Sequence, residues 1–237
     1  MEQRGLAEGT HRVVLAIQAH PDDVDFGSSG TVARFIADGH EVHYLSVTSG
    51  NKGTHDRDMT PERLTEIREA EQREAAHRLG VSSCHFLRYN DGEVEVNLTL
   101  RGQVCRVIRE VRANVVMTFD PWRPYQMHPD HRAVGTAALD AIIAARDHLF
   151  FPEQLTDGLD ISRVYEVYLF GTAEPDVWID ISDVLDKKLG AAAAHASQLR
   201  PDGDTEERRQ RRLARAREVG EPHGLAYAEG FKLLRLN

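Results

Sequence analysis

The first 146 residues alternate between short apolar runs and stretches in which apolar residues recur every three or four positions. His11 to Ala19 (HRVVLAIQA) is a nearly continuous apolar run that stops at His20-Pro21. Such a run predicts a strand buried on both faces. Gly30 to Gly39 carries Val32, Phe35 and Ile36 at helical spacing and ends on a glycine. Glu41 to Thr48 (EVHYLSVT) reads as a second strand, followed by a polar loop from Ser49 to Met59. Thr60-Pro61 starts a helix that runs to Gly80, with Thr as N-cap and Pro as the first helical residue. Cys84 to Leu87 is a third short strand, before a turn at Asn90-Asp91-Gly92. Val104, Val107, Ile108 and Val111 mark an amphipathic helix, and Asn114 to Phe119 a fourth strand. A proline-rich loop then leads to a helix from Asp130 to Arg146.

Strand and helix in alternation predict an α/β, Rossmann-like fold, with a mostly parallel sheet and helices on both faces. The later chain reads differently. Val164 to Phe170 and Val177 to Ile181 look like two strands joined by a short link, an antiparallel or edge pair. A helix from Ser182 to Leu199 stops before Pro201, and Pro201 to Val219 is a charge-rich, solvated helix. Glu221 to Leu236 (EPHGLAYAEGFKLLRL) is apolar enough to pack on a neighbouring subunit, giving a homo-oligomer, or on the chain's own core. With no repeat and no long linker, residues 1–237 read as one domain. Its core spans 12–200, and a smaller, charged antiparallel/helical extension spans 201–237.

Composition narrows the classes. A length of 237 residues suffices for one sizeable core. The net charge of −9, from 38 acidic and 29 basic residues, argues against a nucleic-acid surface. No stretch approaches the ~18 to 20 apolar residues of a membrane span. Met1 to Thr10 is polar and lacks the apolar centre of a signal peptide, so the cytoplasm is expected. Cys84 and Cys105 sit in apolar surroundings and read as free buried thiols.

In open α/β sheets, ligands bind beyond the C-terminal ends of the strands. Those ends carry His20-Pro21-Asp22-Asp23, Thr48-Ser49-Gly50, Tyr89-Asn90-Asp91, and Asp120 with the loop to His128-Pro129-Asp130-His131. The topology therefore brings two His/Asp clusters to one rim. Imidazole and carboxylate donors suit zinc, and a catalytic zinc keeps three protein ligands and an open position for water. It lowers the pKa of that water to about 7 and polarises a carbonyl, while a nearby carboxylate serves as general base. Taken singly, either cluster also reads as a turn, with Asp130 as N-cap of the next helix. A glycosidase pair needs carboxylates ~5 to 9 Å apart, whereas adjacent residues usually point apart. Gly27-Ser28-Ser29-Gly30 lacks the G-x-G-x-x-G of dinucleotide binding. Its small residues predict a close approach of loop and helix N-terminus to the site.

AHPDDVDFGSSG (Ala19 to Gly30) together with HPDH (His128 to His131) resembles the LmbE-like, or PIG-L, de-N-acetylase family. The similarity continues through LSVTSGNKGT, the helix with IREAEQREAAHRLGV, Asp91-Gly92, PDVWIDIS and the AHASQ ending at Gln198. The resemblance implies a hydrolase with one Zn2+ per chain that removes the N-acetyl group from an N-acetylglucosamine-type amino sugar or its glycoside. It implies His20, Asp23 and His131 as zinc ligands and Asp22 as the general base. His128 would stabilise the oxyanion or protonate the leaving amine, with Asp130 orienting and charging it. Arg68 and Asp91 would hold the sugar. On the residues alone, Arg68 equally reads as a surface ion pair and Asp91 as a turn residue. Asp25 departs from the usual Glu two places after HPDD, and Ser29-Gly30 from the common Gly-Gly.

Three alternatives stand beside this. A related amidase on a thiol-sugar conjugate would share the metal centre. A zinc-retaining sugar-binding protein would have no use for Asp22, His128 and Asp130. A phosphoesterase would need two metals ~3.5 to 4 Å apart, and the sequence offers ligands for one.

Overall fold

The computed structural model of the protein describes residues 9–199 and 205–236. Residues 1–8, read above as part of a polar start, and the stop at Pro201 lie outside the described residues. The first apolar run forms β1 (Val13–Gln18), buried from Val14 onward. Two short helices follow it instead of one, α1 (Asp23–Gly27) and α2 (Ser29–Ala37). Next come β2 (Glu41–Thr48) and α3 (Pro61–Leu79). Thr60 Oγ1 accepts from the Arg63 amide at 3.3 Å at the start of α3. Gly80 ends it at φ 92°, a left-handed stop that glycine adopts without a side-chain clash.

β3 (Ser83–Tyr89), α4 (Leu98–Val111), β4 (Val115–Phe119) and α5 (Pro129–Ala145) complete the alternating half. The chain continues through α6 (Pro152–Thr156), β5 (Glu166–Phe170), β6 (Val177–Asp180) and α7 (Leu185–Ala192). It ends with α8 (Glu206–Gly220) and β7 (Ala228–Arg235).

The sheet has seven strands in the order β3-β2-β1-β4-β5-β7-β6. The first five are mutually parallel, and β7 runs antiparallel to both β5 and β6. α2, α3 and α7 pack on one another, as do α4 and α5, in two layers over this sheet. The expected α/β class, mostly parallel with flanking helices, is the one observed.

Four expectations change. β5 and β6 are not partners, because β7 lies between them. β7 is the apolar C-terminal segment, and Ala228, Phe231 and Leu233 are buried in this chain's own sheet. That segment therefore belongs to the central sheet, where the sequence reading had it in an appended extension. The helix expected over Ser182 to Leu199 is broken. It begins as a 3-10 turn (Ser182–Val184), ends at Ala192, and is followed by a second 3-10 turn (Ala196–Gln198). His195 leaves helical geometry at ψ 59° and its imidazole is fully buried, bonded to Asp25. Finally, the close approach at Gly30 is not to the site. A Cβ there would collide with Glu229 and Ile181. Glu229 of β7 accepts from the Gly30 and Thr31 amides and pairs with buried Lys188, tying α2 to the C-terminal strand.

Cys84 and Cys105 are free thiols, and burial pushes both up, Cys84 to about 12. No helix among the described residues is long and apolar enough to cross a membrane.

Candidate metal and active centre

β1 lies between β2 and β4 in the sheet. The chain leaves it towards β2 and β3 and returns on its other side as β4, so the rim above β1 and β4 is a topological switch point. His20 to Asp23 follow β1 there, and the loop ending in His128 to His131 follows β4. Asp91 arrives from β3, and α3 supplies Arg68 from below.

The centre is built around His20, which is 6% exposed. Its Nδ1 lies 3.2 Å from Asp23 Oδ2, and Asp23 Oδ1 lies 3.2 Å from His131 Nε2. Two donors on a tetrahedral zinc, each about 2.0–2.2 Å from the ion, sit roughly 3.3 Å apart, so each of these two contacts has the spacing of donors that share an ion, the two using different oxygens of Asp23. The other nitrogen of His20, Nε2, lies 3.1 Å from Asp130 Oδ2 and 3.2 Å from Asp91 Oδ1. A metal-ligating imidazole is commonly held in this way by a carboxylate on its second nitrogen. Burial works against charge on His20, but the bonds from Asp130, Asp23 and Asp91 outweigh it and raise the imidazole to about 12. Burial also opposes ionisation of Asp23, yet His131 and His20 hold its carboxyl well below the usual range. Three carboxylates around one imidazole are a site made for positive charge.

Asp22 turns the other way. Its backbone sits at φ 113° and ψ −25°, a conformation that costs a non-glycine residue about 1–3 kcal/mol. Its Oδ2 accepts from Arg68 Nη2 at 3.0 Å. The same guanidinium donates to the Pro21 carbonyl at 2.5 Å and the Gly50 carbonyl at 2.9 Å. Arg68 is 3% exposed, which removes the surface ion-pair reading. Gly50 and Gly53 make room for it, because a Cβ at either would overlap the guanidinium. Burial raises the Asp22 carboxyl to about 7, with Arg68 pulling it back down.

In the second cluster, His128 itself is the N-cap residue and Pro129 the first helical residue of α5. Asp130 is therefore not the cap. It is fully buried, and its carboxylate accepts from the Gly92 amide at 2.7 Å and the Val94 amide at 3.2 Å. These two amides anchor it on the His20 side of the pocket. Asp130 thus bonds directly to His20, while its charge also favours a proton on His128, the residue the resemblance pairs it with. The carboxylate facing His128 is Asp91, whose Oδ1 lies 3.9 Å from Nε2. Asp91 accordingly lies inside the pocket between two histidines.

His128 has a side chain 38% exposed, and its Nδ1 is buried without a partner. Burial and the charges of His20 and His131 lower its pKa. Its ring stacks on His131 at 4.6 Å, and His131 in turn stacks on Phe119 at 4.0 Å. One donor atom each from His20, His128 and His131 lies within 4.8 Å of the others, as does one each from His20, Asp91, His128 and Asp130. Both groups share His20 and His128, so they are parts of one pocket.

The sequence reading missed the buried polar layer beneath this pocket, formed by Gln18, Asp25, Tyr44, Gln72 and His195. A signal was present. Leu64, Arg68, Glu69, Gln72, Ala75, Ala76 and Leu79 are the buried positions of α3, and three of them are polar. Polar groups in a core stripe need buried partners.

Comparison with known proteins bears on this arrangement. The family model described as PIG-L: GlcNAc-PI de-N-acetylase matches residues 15–142. Diacetylchitobiose deacetylase of Thermococcus kodakarensis is 36% identical over 189 residues, covering 80% of this chain and 71% of that protein. A probable N-acetyl-alpha-D-glucosaminyl L-malate deacetylase 2 of Bacillus cereus is 30% identical over 195 residues, covering 79% and 84%. The solved structure of N,N'-diacetylchitobiose deacetylase from Pyrococcus horikoshii, complexed with its inhibitor MPG, superposes with a TM-score of 0.88 at 32% identity. It covers 94% of this chain and 84% of that one.

Proposed function

The chain belongs to the PIG-L (LmbE-like) family of de-N-acetylases, and from that premise we propose that it removes the acetyl group from an N-acetylglucosamine unit, free or glycosidically linked, with one zinc ion per chain. The observation that carries this reading is the division of labour between Asp22 and Asp23. Asp23 joins His20 and His131, while Asp22 is turned onto Arg68.

His20, Asp23 and His131 hold the metal. Zinc bound there supplies a Lewis acid and a water of lowered pKa. Asp22 takes the proton of the attacking water, and Arg68 offsets part of the burial that opposes its ionisation and aims its carboxylate. His128, half-exposed at the mouth, meets the substrate. It donates a hydrogen bond to the oxygen that gains charge, and the proton that Asp22 took from the water goes on to the departing amine. Asp91 and Asp130 act through His20, and Asp91 also faces the sugar side of the pocket beside His128. Arg68 serves here as a positioning residue for Asp22.

Acetate release from N,N'-diacetylchitobiose and N-acetylglucosamine glycosides, measured with metal content on the same preparation, tests the reading. One zinc per chain with acetate release is expected. A zinc-repleted protein that holds no metal, or holds it and releases no acetate from any of these, overturns the reading.

A further inference from the structure

Two adjacent carboxylates serve two different ends only if the backbone between them is bent and held. Asp22, at φ 113°, supplies the bend. A strained residue of this kind persists where its surroundings over-determine it, and here the determining contact comes from α3. Gln72 is completely buried. Its Oε1 accepts from the Asp22 amide at 3.0 Å and from Gln18 Nε2 at 2.7 Å, and its Nε2 donates to Asp25 Oδ2 at 2.7 Å. Gln18 repeats the device one step along the turn, its Oε1 accepting from the Val24 amide at 2.9 Å. The amides on either side of Asp23 are therefore each held by one buried glutamine. Asp25, the far anchor of Gln72, is fixed by Tyr44 Oη at 3.1 Å and His195 Nε2 at 2.9 Å.

The position demands a side chain that accepts at one end and donates at the other. Glutamate would set a second carboxylate against Asp25, and methionine would leave the Asp22 amide and Asp25 without these bonds. We propose that Gln72 is a positioning residue for the hydrolysis, holding the bent Asp22 backbone so that its carboxylate meets the water while that of Asp23 meets the metal. The proposal rests on the roles given to Asp22 and Asp23 above.

The test compares wild type, Gln72→Met, and the double variant Gln72→Glu with Asp25→Asn. The double variant reverses donor and acceptor between the two positions and keeps an acceptor for the Asp22 amide, with the His195 ring taking the tautomer whose Nε2 accepts, because it shares Asp25 Oδ2 with Gln72. Zinc content, hydrogen exchange of the 19–24 segment, and kcat and KM for N,N'-diacetylchitobiose are measured on each. For Gln72→Met we expect wild-type zinc, faster exchange in that segment, and kcat lower by about 10- to 100-fold with KM little changed. The double variant is expected to recover most of both losses.

Wild-type kcat in Gln72→Met, or a fall in kcat that only tracks lost zinc or a changed KM, overturns the proposal. Should Gln72→Met fail to fold, the double variant decides. Near-wild-type kcat supports the proposal, and a large loss at wild-type zinc and KM overturns it. A wild type that releases no acetate defeats the functional reading instead. Hydrogen exchange then judges Gln72 alone, since unchanged protection in Gln72→Met overturns its positioning role.

Discussion

His-Pro-Asp occurs twice in the pocket, and the fold treats the two copies in opposite ways. At His20-Pro21-Asp22 the histidine is buried, the aspartate is bent to φ 113°, and amides 20, 22 and 24 each have a side-chain acceptor. At His128-Pro129-Asp130 the histidine has ordinary extended geometry at φ −69° and a half-exposed ring, while the aspartate is the buried anchor. The first copy is a rigid seat for charge. The second leaves its ring half-exposed at the mouth and sends its carboxylate down to the imidazole of the first, 3.1 Å away. The same tripeptide thus takes two forms according to whether the fold buries both of its ends or only its aspartate.

Five changes break or sharpen this contrast. The largest effect is expected from His131→Ala, which removes the partner of Asp23 Oδ1. Zinc content should fall towards zero and acetate release to background, as read by metal analysis and assay together. Asp22→Asn should keep its zinc and lower kcat by roughly 10²- to 10⁴-fold, the range of a lost general base. Equal zinc and equal kcat would refute the role of Asp22.

Asp130→Ala tests the buried anchor. It strips two loop amides of their acceptor and should cost about 1–3 kcal/mol in denaturant unfolding. His128→Ala, at the exposed copy, should shift stability by less than about 0.5 kcal/mol even as activity falls. Similar stability losses in the two variants would erase the contrast. The smallest effect is a shift of profile. Arg68 lowers the Asp22 carboxyl that burial raises, so Arg68→Met should raise it further. A base must be ionised, so the acid limb of kcat should move to higher pH in this variant. A limb that stays in place, or moves down, would contradict the link.

How far the site was legible can be followed residue by residue. His20, Asp22, Asp23, His128 and His131 lie in two clusters immediately after β1 and β4, so strand ends alone bring them to one rim. Arg68 was legible as a residue but not as a partner. Its helix position is a matter of spacing, whereas its burial depends on Gly50 and Gly53 leaving space above it. The bond of Asp130 to His20 was not legible because it depends on the Gly92 and Val94 amides, 38 and 36 residues earlier in the chain. Gln72 and His195 gave only the hint of polar groups at buried spacing, since their partners lie 47 to 170 residues away.

By itself, the sequence determined the alternation of strand and helix, the parallel sheet that alternation requires, and the rim on which the His/Asp clusters fall. Those follow from local periodicity and from the handedness of strand–helix–strand connections, which any chain with this pattern obeys. Only the tertiary structure decided that the last apolar segment would insert as β7 between β5 and β6, that His195 would break its helix to reach Asp25, and which carboxylate would serve which histidine. Each of those choices pairs groups distant in the chain inside a region with little water. There an unpaired polar group is expensive, and the satisfied arrangement wins over the local preference.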